Sequence, residues 1–278
     1  DICYFTELTD ELVNVLLQCP LIGHNIKYDM HMLNKWGVKV TGSQIHDDTR
    51  LLAHTIDSIG ANDLKSLAKK YLNMIWCEYK ELVIGKGKKK ATLDTLDAQI
   101  VGNYCGCDVL ATYRLNKLLN EKASEVERTY YHTDIILQQL TFNMENKGVK
   151  LDLDYLNKLQ KEYHESVNMK SHYFTDQGIN PNSPKQLLPF LQKEISGLKS
   201  TNEKELARYT HLEIVKKLLD YRQTKKLLST YIEALLEDNS RGRIHGKFNL
   251  TGTWTGRLSS SGPNLQNQPR GPIIRTAF

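Results

Sequence analysis

The apolar pattern of this 278-residue chain changes character near Glu121, and that change limits the folds open to it. Before it, short strand-like runs alternate with amphipathic helices; after it, helical spacing continues for long stretches. Leu8 to Leu17 has helical spacing, with Thr9 placed to cap it ahead of Asp10 and Glu11. Pro20 resets the chain, LIG reads as a short buried strand, and HNIKYDMHMLNKWG reads as a helix that Gly37 stops. VKVTGSQIHDD is a second strand-like run leading into another helix, NDLKSLAKKYL is amphipathic, and DAQIVGNYCGCDVLATYRLNKLLN is the last helix of the half. From Glu121, SEVERTYYHTDIILQQLTFNMENKG carries Ile135, Ile136, Leu140, Phe142 and Met144 and ends at Gly148. Asp152 caps the next helix. The run HLEIVKKLLDYRQTKKLLSTYIEALLED places Leu212, Val215, Leu218, Leu219, Leu227, Leu228, Ile232 and Leu235 at core-facing spacing.

Composition narrows the class. A hydrophobic content of 40% and a charged content of 25% are those of a soluble globular protein. No apolar run approaches the roughly 18 residues of a membrane span. The N-terminus DICYFTELTDEL has neither the basic start nor the apolar core of a signal peptide, so a cytoplasmic protein without membrane contact is expected. The five cysteines are odd in number with none in a CxxC pair, which points to reduced thiols rather than zinc. The net charge of +5 is one-sided. Residues 1 to 130 carry 16 basic and 17 acidic side chains, against 21 and 15 in residues 131 to 278. An excess gathered at one end points to a polyanion contact there.

That end is the tail from Arg241 to Phe278. After Asp238 there is no acidic residue, while Arg241, Arg243, Lys247, Arg257, Arg270 and Arg275 stand among Thr, Ser, Asn, Gln and Gly. Cations neutralise phosphates, and neutral amides and hydroxyls donate to sugar and base-edge acceptors. An Arg among small polar residues suits the minor groove, where every base pair shows an N3 or O2 acceptor. By composition alone, a solvated Ser/Gly-rich basic tail accounts for it equally.

The order of residues distinguishes the two. TxTGRLSSxxPNLQNxP, from Thr253 to Pro269, resembles the segment that leads into the palm of family A DNA polymerases. The resemblance implies that Arg257 reaches the minor groove on the primer side, and that Asn264, Gln266 and Asn267, with Thr255 and Ser259 beside them, line primer-template DNA. Ile273 to Phe278 then looks like the family's opening palm strand, with an apolar surface awaiting the palm sheet. The run YRxxKKLxxTYI, Tyr221 to Ile232, resembles the thumb helix that follows the duplex backbone, implying phosphate contacts for Arg222, Lys225 and Lys226. MExxGVxLD, Met144 to Asp152, resembles the junction between exonuclease and thumb, and NSPKQLLPFL, Asn182 to Leu191, resembles the thumb element in which Ser183 and Pro184 start a short helix.

In the first half, NxxxD (Asn25, Asp29), the DT of Asp48 and Thr49, and YxxxD (Tyr104, Asp108) resemble two motifs of the DEDD-type 3'-5' exonucleases. Each spacing of four puts both side chains on one helical face. By resemblance Asp29 and Asp108 are catalytic acids and ligands of Mg²⁺, and Tyr104 orients the attacking water. Carboxylates suit that work because two hard ions about 3.5–4 Å apart need oxygen ligands. Asn25 supports the site, and Asp48 before Thr49 suits a helix cap. The family's first motif, Asp-x-Glu, does not occur among the 24 residues before Asn25, so the isolated chain is expected to lack exonuclease activity. GKGKKK, Gly85 to Lys90, is a solvated basic loop or a nucleic-acid patch.

The expected architecture is an α/β RNase H-like exonuclease domain over 1–125 with its first strands missing, a mainly helical thumb over 126–240, and the start of a palm over 241–278. The expected function is part of a DNA-directed DNA polymerase, cut short of its palm aspartates or completed by a separate palm-and-fingers polypeptide. A stand-alone DNA-binding module is the alternative. A DEDD nuclease of RNA metabolism leaves Thr253 to Pro269 unexplained. Trp36, Trp76 and Trp254 are expected to pack, Trp254 with the option of lying on the duplex.

Overall fold

The computed structural model describes residues 3–5, 7–83 and 92–278, so the lysine loop Gly85 to Lys90 lies outside the described residues. Backbone packing divides the chain into two compact units. One is Asp1–Lys147 with Lys247–Ser260, the other Gly148–Gly246 with Ser261–Phe278. These divisions differ from those expected at 125 and 240, because the helix Glu125–Lys147 and the segment Lys247–Ser260 both belong to the first unit.

In the first unit, helix α1 (Asp10–Gln18) begins where the Thr9 hydroxyl accepts the Leu12 N–H at 3.3 Å. Strand β1 (Leu21–Gly23), helix α2 (Ile26–Lys35) and strand β2 (Ile45–Asp48) form a parallel β-α-β unit, with Leu21 beside Ile45 and Gly23 beside Asp48. The second strand is shorter than its apolar run. Val38 and Val40 are buried but off the ladder. Gly42 is drawn against the chain further on: its N–H donates to Asn143 Oδ1 at 3.0 Å, and a Cβ there would meet the Gln139 carbonyl at 2.2 Å.

Helices α3 (Thr49–Ile56), α4 (Leu64–Leu72), α5 (Tyr79–Leu82), α6 (Ala98–Lys122) and α7 (Glu125–Lys147) complete this part. The core joins Ile26, Met30, Ile45, Leu51, Leu52, Leu67, Leu115 and Leu119 to Tyr131, Ile135 and Phe142 of α7. Those three α7 side chains recur at helical spacing on one face, so the whole helix belongs to the first unit by burial. Ile136, Leu140 and Met144, apolar in the same run, are each more than half exposed.

In the second unit, β3 (Val149–Lys150) follows the left-handed Gly148, and Asp152 caps α8 (Leu153–Thr175) by accepting the Tyr155 N–H at 2.9 Å. Helix α9 (Pro184–Gln192) starts with Pro184 at its first position, where a missing N–H costs nothing. Short α10 (Glu203–Leu206) precedes α11 (Glu213–Lys226), which runs through a π-helical stretch, Leu227–Glu233, into α12 (Ala234–Glu237). The wider turn changes which side of the rod faces inward. Leu218 packs in a core with Phe174, Leu187, Leu191 and Leu206, whereas Ile232 and Leu235 pack in another with Leu156, Leu159 and Ile244. Strands β4 (Asn239–Ser240) and β5 (Arg243–Ile244) join β3 in a small antiparallel sheet with β5 in the middle.

The chain then returns to the first unit with β6 (Lys247–Asn249), paired with β7 (Ser259–Ser261). Its last element corrects an expectation. Instead of a palm strand at Ile273 to Phe278, Pro272–Arg275 forms a helical turn, α13. Pro272 at its start and the spacing of Ile274 and Ala277, both fully buried in the second unit's core, favour a turn over a strand. Ile273 and Phe278 alone keep exposed apolar surface there. All five cysteines are free, and no helix among the described residues is long and apolar enough to cross a membrane.

Assigning α7 to the first core has a direct test. Phe142→Ala should lower stability by about 3–5 kcal/mol in urea unfolding, and Leu140→Ala by less than about 0.5 kcal/mol.

Candidate functional site

Two of the candidate exonuclease residues, Asn25 and Asp29, sit beside one buried carboxylate. Asp48 ends β2 and caps α3, its Oδ1 accepting the N–H groups of Arg50 at 2.9 Å and Leu51 at 3.3 Å. The same side chain accepts Asn25 N–H at 2.9 Å, Ile26 N–H at 3.0 Å and Gln138 Nε2 at 2.6 Å. Asn25 adopts the left-handed conformation, φ 63°, that aims these two N–H groups at Asp48. Thus Asn25 acts through its backbone, and Asp48 is the structural cap its position before Thr49 implied. Five N–H donors on one carboxylate that is 2% exposed leave it no free lone pair for a metal.

Asp29 lies in the first turn of α2. The residue reaches solvent, yet atoms packed around its carboxyl strip away much of its water. That desolvation, with the negative charges of Asp48 and Asp108, pushes the carboxyl up to about 6. Tyr104 and Asp108 stand one turn apart on α6 as their spacing predicted. Burial, and then the charge and hydrogen bond of Asp108, pushes the Tyr104 phenol up to about 12. Sequence reading missed the partners of Asp108. Its Oδ1 accepts the Trp76 indole N–H at 2.9 Å and the Lys65 ammonium at 3.4 Å. Both are far from it in sequence, and Lys65 looks like any solvated lysine of an amphipathic helix.

The implied Mg²⁺ pair does not fit this donor set. Among the described residues no group of three or more His, Cys, Asp or Glu side chains is placed to hold a metal. Asp29 and Asp108 provide two carboxylates, and Asp108 is already engaged by an ammonium and an indole. Hard divalent ions need more oxygen ligands than this.

A second polar cluster, also missed, braces the face behind. Lys27 of α2 donates to Glu145 Oε1 at 2.7 Å and to the Phe248 carbonyl, while Phe248 N–H donates to the same Glu145 oxygen at 2.7 Å. His31 meets the other Glu145 oxygen at 2.6 Å. Burial alone would raise the Glu145 carboxyl, but His31, Lys27 and the Phe248 N–H outweigh it and hold the group below its usual range.

The candidate DNA-binding residues fall in both units and are described unit by unit. In the first, Thr253 Oγ1 donates to the Arg257 carbonyl at 2.7 Å, and Thr255 Oγ1 to Thr253 Oγ1 at 3.4 Å, closing a turn around the left-handed Gly256. Arg257 is exposed, and its guanidinium makes no hydrogen bond or ion pair among the described residues. Ser259 donates to the Asn249 carbonyl at 3.2 Å, so its hydroxyl serves the turn. Trp36 is 62% exposed and does not pack as expected, whereas Trp254 is 71% exposed on this turn, as its alternative reading on the duplex requires; Trp76 is half-buried.

In the second unit, Asn264 Oδ1 accepts the N–H groups of Gln266 at 3.0 Å and Asn267 at 3.1 Å, a turn that leaves both of their side chains exposed. The three thumb cations are unequal. Arg222 is half-buried and donates to the carbonyl and hydroxyl of Thr201, and desolvation lowers its pKa. Lys225 donates to Asn182 Oδ1 at 2.6 Å. These two cations, expected on phosphates, also brace the unit's own loops, whereas Lys226 is exposed.

Comparison with known proteins matches the chain in two parts. The model of the 3'-5' exonuclease family covers residues 4–124, and that of DNA polymerase family A covers residues 151–278. DNA polymerase I of Pseudomonas aeruginosa is 32% identical over 281 residues, 92% of this chain and 31% of that protein. DNA polymerase I of Geobacillus stearothermophilus is 34% identical over 271 residues, 88% of this chain and 30% of that protein. The chain therefore spans less than a third of the length of these relatives. Among solved structures, the POL domain of Pol1 from M. smegmatis, in complex with DNA primer-template and dNTP, matches with a TM-score of 0.73 and 27% identity, covering 98% of this chain and 48% of that one.

Two substitutions test the acidic site. Asp48→Ala leaves several buried N–H groups without an acceptor and should cost about 3 kcal/mol or more in thermal or urea unfolding. For Asp29, the folded value of about 6 lies above the ordinary 3.8, so the native state keeps a proton that the unfolded chain has lost. Its contribution to stability therefore falls as pH rises from about 4 to about 6. Asp29→Asn should be more stable than the parent at neutral pH, by about 1 kcal/mol or less because the group reaches solvent, and should match it below pH 4 in a melting series.

Proposed function

Because the chain belongs to the family A DNA polymerases, as the piece that carries an exonuclease domain and the beginning of the polymerase region, we propose that it grips primer-template DNA within an enzyme that extends primers by template-directed nucleotidyl transfer. The observation that carries this reading is Arg257. It stands exposed and uncommitted on a turn closed by its own threonine hydroxyls, in a segment without a single acidic residue. A donor so held can take an N3 or O2 acceptor of any base pair, which grips duplex without reading sequence.

Gln266 and Asn267, exposed beyond the Asn264 turn, would add donors to sugar and base edges, and Lys226 a phosphate contact that weakens with salt. Thr255, Ser259 and Asn264 serve this grip as turn-formers, and Arg222 and Lys225 as braces that fix the helix bearing Lys226. Palm and fingers, on the same polypeptide or a separate one, would complete the catalytic centre, with Mg²⁺ as the ion of nucleotide addition. The protein would act in the cytoplasm, or wherever its source replicates or repairs DNA.

Fluorescence anisotropy of the purified chain on a primer-template duplex, repeated across a salt series, tests the assignment. Arg257→Ala should weaken binding by about 1–3 kcal/mol. Lys226→Ala should flatten the salt slope by about one. Arg222→Ala should lower thermal stability and leave affinity nearly unchanged. Unaltered binding by Arg257→Ala at every salt concentration would remove it from the interface.

A further inference from the structure

Lys65 is the cation of the Asp108 site. Its ammonium lies 3.6 Å from the centroid of the Trp76 ring, 4.6 Å from that of Tyr104, and 3.4 Å from Asp108 Oδ1. A fourth partner, the Cys77 carbonyl, accepts from it at 2.9 Å. Trp76 turns its N–H to the same Asp108 oxygen at 2.9 Å while its ring faces the ammonium, so one side chain serves both charges of the pair. The Lys65 side chain is 19% exposed and that of Asp108 30%, and a groove of about 550 Å³ lined in part by Lys65, Ser66, Lys69 and Trp76 keeps the cluster within reach of ions from solution.

Two ring faces, a carbonyl and one shared carboxylate oxygen suit a monovalent organic cation. They suit a hard divalent ion poorly, since it wants about six oxygen ligands and would meet the ammonium at close range. We propose that Lys65 is the resident counter-ion of Asp108, built into the fold where the resemblance to exonucleases implies a metal, and that a divalent ion and this lysine compete for a single carboxylate oxygen. The Lys65–Asp108 pair carries no net charge without metal, and Tyr104 is held by a cation over its ring. This inference does not depend on the DNA grip of Arg257.

The test uses the whole chain labelled with ¹⁵N, with paramagnetic Mn²⁺ as probe. The chain has three indole N–H groups, from Trp36, Trp76 and Trp254, and Trp76→Phe assigns the Trp76 resonance. In the parent the Trp76 resonance should stay as sharp as the other two up to millimolar Mn²⁺. In Lys65→Met it should broaden selectively at roughly tenfold lower Mn²⁺, and Asp108→Asn added to that variant should abolish the response. Lys65→Arg, which keeps the charge, should behave as the parent. Selective broadening in the parent at micromolar Mn²⁺ would overturn the proposal, whether or not Lys65→Met folds. So would a folded Lys65→Met protein as indifferent to Mn²⁺ as the parent.

Discussion

The Asp48 carboxylate is the interaction on which the first unit depends. A buried carboxylate is tolerated only where hydrogen bonds replace its water, and here five N–H donors do so from three directions. They come from the first residues of α2, the first residues of α3, and Gln138 on α7. The bonds therefore set where two helices begin and where a third lies across them. Asp29 sits one turn after Asn25, so its position follows from Asp48, whose charge also adds to desolvation in raising the Asp29 carboxyl. The neighbouring Asp47 extends the same logic: Tyr131 donates to it at 2.9 Å while accepting the Asp48 N–H at 2.8 Å.

The second unit is organised by apolar packing instead. Helix α8 contributes Leu156 and Leu159 to one core and Phe174 to the other, and the rod from α11 to α12 does the same through its π-helical stretch. Cations on that rod are sorted by the packing. A guanidinium and an ammonium near the loops at Asn182 and Thr201 find acceptors there and lose solvent, whereas Lys226 finds none among the described residues and keeps its charge at the surface.

Helix starts were the most legible part of the sequence because a cap is a local interaction. Thr9, Asp152 and the Ser183-Pro184 pair each stand where the helix begins. The β-α-β order and the pairing of Tyr104 with Asp108 on one face were legible for the same reason: period and spacing are read within one element. What could not be read depends on partners far along the chain. VKVTGSQIHDD alternates like a strand, but Gly42 is claimed by α7 about a hundred residues later. Ile136, Leu140 and Met144 are as apolar as their neighbours, and only tertiary packing decides that Phe142 goes inside. Trp76 and Lys65 reach Asp108 across 32 and 43 residues, so no local pattern announces them. Arg222 was legible as a cation but not as a buried one, because Thr201 lies on a separate loop.

The return of Lys247–Ser260 to the first unit has a consequence for the order in which the protein can be made. Leu250 belongs to the first core, and the Phe248 backbone supplies a donor and an acceptor to the Lys27–Glu145 cluster. Everything between, Gly148–Gly246, must leave the ribosome before those groups exist. During synthesis the first unit therefore waits, with Glu145 short of an N–H and Lys27 short of a carbonyl, until Gly148–Gly246 has been threaded out. The second unit waits in turn for Ser261–Phe278, which carries Ile274 and Ala277 of its core, so each unit is completed by a segment made after part of the other, unlike domains that mature one after another from the N-terminus.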